Sequence, residues 1–298
     1  MSCKLLLPFF ALAVGLCTGT PSLLAQIATT TTPPPAAGPW AMAHDASPAF
    51  TPGGDTVVFT RGSGTARRLY VAHRHDGAWS TPMRAPFSEQ WMDFEPAMAP
   101  DGSYLVFVSN RPANGEGQAL DGDWGGKPQP GRGGNLWRVD RVGDGWGTPV
   151  RLSDVVSASN STFSPAVGKD GSLYFVRVNR DNGAFRLYRS RCDHTACQVA
   201  QPLALGAVGD RSDYDPAVAP DQSFIVFSSD RPPAPSNGGD LFIAYATPGG
   251  WSAPMDLGVA GDEARLGADR NTLYYSAPDH HIHRVSLAPW LQQHTASR

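Results

Sequence analysis

One phrase is written twice in this chain. Residues 93–112 read DFEPAMAPDGSYLVFVSNRP and residues 213–232 read DYDPAVAPDQSFIVFSSDRP, 120 positions apart. That interval is too long for one small repeat and fits two or more, so further copies are expected between and around them. Three emerge: SPAFTPGGDTVVF from Ser47, SPAVGKDGSLYFV from Ser164 and a worn EARLGADRNTLYY from Glu263. With the Pro of the phrase as anchor, the copies start at Pro48, Pro96, Pro165, Pro216 and Ala264, at intervals of 48, 69, 51 and 48 residues. The long interval is explained by an insertion, PANGEGQALDGDWGGKPQPGRGG, between Arg111 and Asn135.

Each copy continues in the same order. A strand ending in Phe is followed by RRLYVAHRH, GNLWRVDRV, FRLYRSRC, GDLFIAYAT or HIHRVSLA. Then, after a Gly-containing turn, come WSTP at Trp79, WGTP at Trp146 and WSAP at Trp251, with VAQP at Val199 in the third copy. The unit is four short strands with turn residues between them and almost no helical periodicity. Four-stranded units of this length predict an all-β propeller of antiparallel blades. Five anchors predict five blades; a sixth would need about 40 further unassigned residues. A four-stranded meander buries its faces only against neighbouring blades, so the same Pro, Phe and Trp chemistry must recur in each. Closure of the ring is expected from Gly38–His44, which resembles a strand with no blade of its own and would cover the edge of the last one.

The ends of the chain read differently. Residues 1–25 combine Lys4, an apolar run from Leu5 to Leu16 and small or polar residues before Gln26, the pattern of a secretory signal peptide cleaved after Ala25. Lipidation at Cys17 is the weaker alternative, since Leu16 stands where a small residue belongs. Residues 26–39 are rich in Thr and Pro and predict an extended tether. The propeller is expected over 40–290, with a tail over 291–298. No later stretch approaches the roughly 20 apolar residues of a membrane span. A net charge of −3 argues against nucleic acid or an anionic membrane as the main partner. Cys192 and Cys197, with four residues between them in a chain expected to be exported, predict a local disulfide at a hairpin tip.

The run of PDG, an apolar strand, S(N/D)RP, GGDLF or GGNLW, and WSAP or WGTP followed by DLG or RLS resembles the TolB-type β-propeller repeat. It is especially similar to the version found beside OmpA-like domains in bacterial envelope proteins. The resemblance covers essentially all of 40–290 and is strongest in the second and fourth copies. It implies the propeller fold and, more loosely, a module that holds partners.

Chemistry is expected at one end of the channel. The residues just before the anchors, on the innermost strands, are Ser47, Glu95, Ser164, Asp215 and Glu263; fifteen residues after three of the anchors come Arg111, Arg180 and Arg231. As a repeated set, these acids and arginines first read as ion pairs that fix blade geometry. As a binding face, Glu95, Arg111, Trp124, Arg180, Asp215 and Arg231 would contact an envelope or extracellular protein or a cell-wall glycan, with Trp124 supplied by the insertion. As an enzyme, Asp45, Glu95, Asp215 and Glu263 would act as paired carboxylates on a glycoside. The expected protein is a non-catalytic binding propeller, monomeric and periplasmic or secreted, with a secreted glycan hydrolase as the alternative. No cofactor or metal is expected: DGDW at Asp121 lacks the spacing of a calcium loop, and His280, His281 and His283 read as a solvated edge strand.

Overall fold

The computed structural model describes residues 36–206, 209, 211–234 and 239–296. The expected signal peptide and the start of the tether lie outside these residues.

Five small antiparallel sheets, one per repeat, are arranged as a five-bladed β-propeller. The innermost strands are Ala46–Phe50, Asp93–Met98, Thr162–Val167, Asp213–Val218 and Asp262–Leu266. In blades 1 to 4 the outermost strand is written in two short pieces, such as Ala78–Trp79 and Met83–Arg84 in blade 1. The WSTP-type motif falls at this break in blades 1, 2 and 4, where its Pro has no N–H to give the ladder. Between the first two strands, Gly54, Gly102, Gly171, Gln222 and Arg270 all adopt positive φ, and each N–H closes the turn on the residue three before it.

The recurring Phe explains the core. Phe59, Phe107, Phe175, Phe227 and Tyr275 are buried in the second strands. Each pairs in register with a ring on the third strand: Tyr70, Trp137, Tyr188, Phe242 and His283. In four blades an arginine lies over both rings. Arg61 covers blade 1, Arg111 blade 2, Arg177 blade 3 and Arg231 blade 4, at 4.9–5.4 Å from the ring centroids. A guanidinium over an aromatic face gains from the ring quadrupole while shielding the pair from water.

The third strand of blade 5, Ile282–Ser286, has the N-terminal segment along its outer side. Ala36 N–H donates to Ile282 O at 2.8 Å and His44 N–H to His280 O at 2.9 Å. Between these two bonds Trp40 is buried, with edge-to-face contacts to Phe50, Phe59 and Tyr274. Ala36, inside the stretch expected as tether, is therefore part of the packed fold. At the other end Ala288–Ala296 is a helix, and Trp290 and Leu291 rest on the core shared by blades 4 and 5. Cys192 and Cys197 face each other across the hairpin of blade 3 and form a disulfide.

Candidate functional site at the channel mouth

Each innermost strand carries a bulge, and the site is built from the residues at these bulges. Pairing slips between Ala46 and Ala49, Phe94 and Ala97, Phe163 and Ala166, Tyr214 and Ala217, and Asp262 and Arg265. The residue responsible has φ of +49° to +52° in every blade: Ser47, Glu95, Ser164, Asp215 and Glu263. A left-handed conformation costs a non-glycine residue about 1–3 kcal/mol, so it persists only where the surroundings enforce it. Here the turned-in backbone is held by the neighbouring blades. Glu95 N–H donates to Thr60 Oγ1 of blade 1 at 2.9 Å, and Ser164 N–H donates to Glu95 Oε2 at 2.6 Å. Asp215 accepts at both oxygens, from Ser164 Oγ at 2.5 Å and from Glu263 N–H at 2.7 Å. Ser276 Oγ donates to Glu263 Oε2 at 2.9 Å. The chain of bonds runs through all five blades.

Above this ring opens a cavity of about 420 Å³. Its floor and walls include Glu95, Ser164, Asp215, Asp262 and Glu263; its aromatic lining is Phe94, Phe163, Phe185, Tyr214 and Trp124; and Arg67 and Arg132 contribute two guanidiniums. Burial, and then the charges of Asp215 and Glu263, push the Glu95 carboxyl up to about 8. Enclosure by protein, followed by Glu263 and Asp215, pushes Asp262 up to about 8 as well, although its side chain remains open to the cavity. Arg265 and Arg67 oppose the shift of Glu95, and Arg67 that of Asp262. Tyr214 is held far above its ordinary value by burial and by Asp215 and Asp262, so it stays a neutral hydroxyl.

Two of these groups come from irregularities in the repeat. Asp262 stands where the other blades have Ala46, Phe94, Phe163 and Tyr214, and Arg265 stands where they have Ala49, Ala97, Ala166 and Ala217. Arg265 is buried and crosses the channel, its Nε 3.3 Å from Pro96 O of blade 2. It separates the cavity from a smaller one of about 110 Å³ at the opposite end of the inner strands, lined by Pro52, Pro100, Pro165, Pro216 and Pro220.

The residues singled out in the sequence fall into two groups. Glu95, Asp215, Glu263 and Trp124 come together at the cavity. Asp45 is instead clamped by Arg61, Nε to Oδ1 and Nη2 to Oδ2 both at 2.7 Å. Arg111 reaches Asp93 at 2.8 Å and Arg231 reaches Asp213 at 2.5 Å, so both bind the acid two residues ahead of the bulge and do not face the cavity. Arg180 is exposed in the turn after the second strand of blade 3, and Arg177 covers the rings of that blade. Thr162 occupies the clamp position there, and Arg177 donates to the Val155 and Val156 carbonyls. Among the three histidines, His283 is buried on the third strand of blade 5, with Nε2 2.9 Å from Asp279.

Sequence reasoning passed over Asp262, Arg67, Arg132 and the ring wall. Asp262 and Arg265 had a usable signal: each breaks the repeat at a register whose other four members agree in kind or nearly so. Arg67 had none, since it lies in the variable stretch between the second and third strands of blade 1.

No family model matches the chain, and no curated protein matches it. Among solved structures, an endo-arabinase from Bacteroides thetaiotaomicron VPI-5482 aligns with a TM-score of 0.55 at 13% identity, over 82% of this chain and 93% of that one. A gluconolactonase, XC5397 from Xanthomonas campestris, aligns at 0.49 and 14% over 82% and 76%. TolB from Acinetobacter baumannii aligns at 0.48 and 14% over 82% of this chain and 52% of that one, so this chain spans about half the length of that relative. None of these matches supports the narrower likeness to repeats beside OmpA-like domains. At 13% identity the endo-arabinase match shows a likeness of fold alone, and the five sheets make this chain a five-bladed propeller.

Proposed function

We propose that this protein is an exported binding propeller that seats an envelope saccharide at the channel mouth. The observation that carries the reading is the composition of the cavity at the channel mouth: ring faces of Phe163, Phe185, Tyr214 and Trp124 beside the carboxylates of Glu95, Asp215, Asp262 and Glu263. Apolar walls with a few convergent polar groups are the ordinary make-up of a small-ligand site, and about 420 Å³ lies within the usual range. Sugar C–H faces pack on rings, and sugar hydroxyls donate to carboxylates. Export is supported by the apolar run Leu5–Leu16 and by the Cys192–Cys197 disulfide, a bond that persists in oxidising compartments. The test is calorimetric titration against bacterial cell-wall and plant polysaccharides. Binding is expected for at least one, with a loss of about tenfold or more in Trp124→Ala, in keeping with a central aromatic anchor. Silence across the panel together with capture of an envelope protein would replace the saccharide by a protein partner.

Hydrolysis is the second reading, and the raised Glu95 favours it. A carboxyl that keeps its proton near neutrality beside a second carboxylate, Asp215, is the pair that glycoside cleavage needs. Glu95 would give its proton to the leaving oxygen as the glycosidic bond breaks, and Asp215 would direct water or itself attack the sugar carbon. Turnover lost in both Glu95→Gln and Asp215→Asn, with folding intact, would establish it.

A further inference from the structure

The floor of the cavity is short of positive charge. Four carboxylates, Glu95, Asp215, Asp262 and Glu263, stand against the lining Arg67 and the buried Arg265 beneath them. Arg132 is at the exposed edge, stacked on Trp124 with 5.3 Å to the centroid. If each of the two deeper arginines offsets one carboxylate, two remain uncompensated, and Glu95 and Asp262 are the two whose hold on a proton is strengthened. A proton is one way to supply the missing charge. A cationic ligand is another, because what strengthens that hold, after burial itself, is the charge of the neighbouring Asp215 and Glu263, and this attracts any other cation as well.

The walls point the same way independently. Phe94, Phe163 and Trp124 form a continuous ring surface, with centroids 6.1 and 6.4 Å apart, and Phe185 and Tyr214 form a second at 5.8 Å. Ring faces are electron-rich and bind cations, most strongly where water is excluded. Two protein cations already use this surface: Arg67 lies over Phe94 at 5.1 Å and Arg132 over Trp124. The ring of bulge residues also includes a polar group without a partner, although it does not line the cavity. Ser47, at the bulge of blade 1, is 1% exposed, and its hydroxyl has no hydrogen-bond partner among the described residues.

We infer that the cavity takes a ligand bearing a positively charged nitrogen, set between the Phe163, Phe185 and Tyr214 rings and the carboxylates of Glu95, Asp215, Asp262 and Glu263. Joined to the saccharide reading, on which this part rests, the ligand is an amine-bearing sugar. A neutral sugar would use the same hydroxyl acceptors and leave the charge deficit to be met by protons on Glu95 and Asp262.

The test is calorimetry on the full mature chain with three probes: a trimer of glucosamine, its N-acetylated counterpart, and tetramethylammonium, which cannot lose a proton. The amine trimer is expected to bind about tenfold or more tightly than the acetylated one, the scale of one desolvated cation–ring contact. Asp262→Asn, whose side chain is open to the cavity, should abolish most of that preference while leaving the circular dichroism and melting curve near those of the parent. Tetramethylammonium should bind more tightly as pH rises from about 6 to about 9, as Glu95 and Asp262 release their protons, while Tyr214 keeps its own. Equal binding of the two trimers would overturn the cationic assignment and leave the saccharide reading standing. Tetramethylammonium bound with neither trimer bound would uphold the cationic site and overturn the saccharide. No binding by any of the three would overturn both.

Discussion

Arg111 Nη2 sits 2.8 Å from both carboxylate oxygens of Asp93 and makes no bond to Glu95, two residues further along the same strand. The two acids have opposite fates. Alternation along the strand is broken by the bulge at Glu95, so Asp93 stays in the blade with its arginine while Glu95 turns to the channel. Asp213 and Asp215 repeat the division in blade 4, with Arg231 as the clamp.

Removal of the clamp should be read in stability. Arg111→Ala leaves Asp93 buried at 0% exposure without its partner, and a buried pair broken on one side costs about 3–5 kcal/mol. Arg180→Ala, in an exposed turn, should stay within about 0.5 kcal/mol. Urea denaturation of the two variants checks both values, and equal stability would place Arg111 outside the frame.

The acid ring should make the fold weaker in alkali. Glu95 and Asp262 are pushed up to about 8, above the ordinary range for carboxyls near 4. The folded state then binds more protons than the unfolded chain between these values, so stability is fully present below about pH 4 for these groups and falls as pH rises through about 8. Asp93 and Asp213, raised by burial, act in the same sense. A melting temperature that declines from about pH 6 to about pH 9, with a shallower decline in Glu95→Gln, is the expected result. A parent curve that is flat or rising over this interval would contradict it.

Closure by the N-terminal segment has its own test. Removing residues 1–35 should leave the melting temperature unchanged, whereas removal through His44 takes away Trp40 and both bonds to blade 5. Trp40→Ala alone should cost about 3–5 kcal/mol, as for other buried large aromatics. Thermal melts of the three proteins decide it.

The insertion of blade 2 folds as a hairpin, Gly122–Trp124 with Lys127–Gln129, tied to blade 3 by Asp123 N–H to Ser161 Oγ at 2.9 Å. Gly125 and Gly126 take φ of +63° and +73° at its tip. Replacing residues 112–134 by a short Gly-containing turn should leave the propeller folded. Ligand capture should fall about tenfold or more with the loss of Trp124 and Arg132 from the wall. Undiminished capture would move the binding face to the proline-lined end.

How much of this was legible beforehand follows from what a repeat records. Pro48, Pro96, Pro165 and Pro216, the buried Phe series and the WSTP-type break recur because neighbouring blades pose the same packing problem five times, so blade number and strand order could be read directly. The site is the part that does not recur. Asp262 and Arg265 look like decay of the fifth copy until the ring sets that copy across the channel from blade 2. Which acid an arginine chooses depends on a backbone bulge at Glu95 and Asp215, and a positive φ at Glu or Asp has no signature in residue type. The helix Ala288–Ala296 was missed because its apolar residues, Trp290 and Leu291, are too few to show a period.

The central claim is that the ligand enters at the acid and aromatic mouth. Heteronuclear NMR of the labelled protein titrated with the glucosamine trimer tests it most directly. The Trp124 indole and the Ser164 and Glu263 amides, which bond within the ring or line the cavity, should shift together and saturably, with Ala99 and Gly267 at the proline-lined end unmoved. Shifts confined to Ala99, Gly267 and their neighbours would contradict the account.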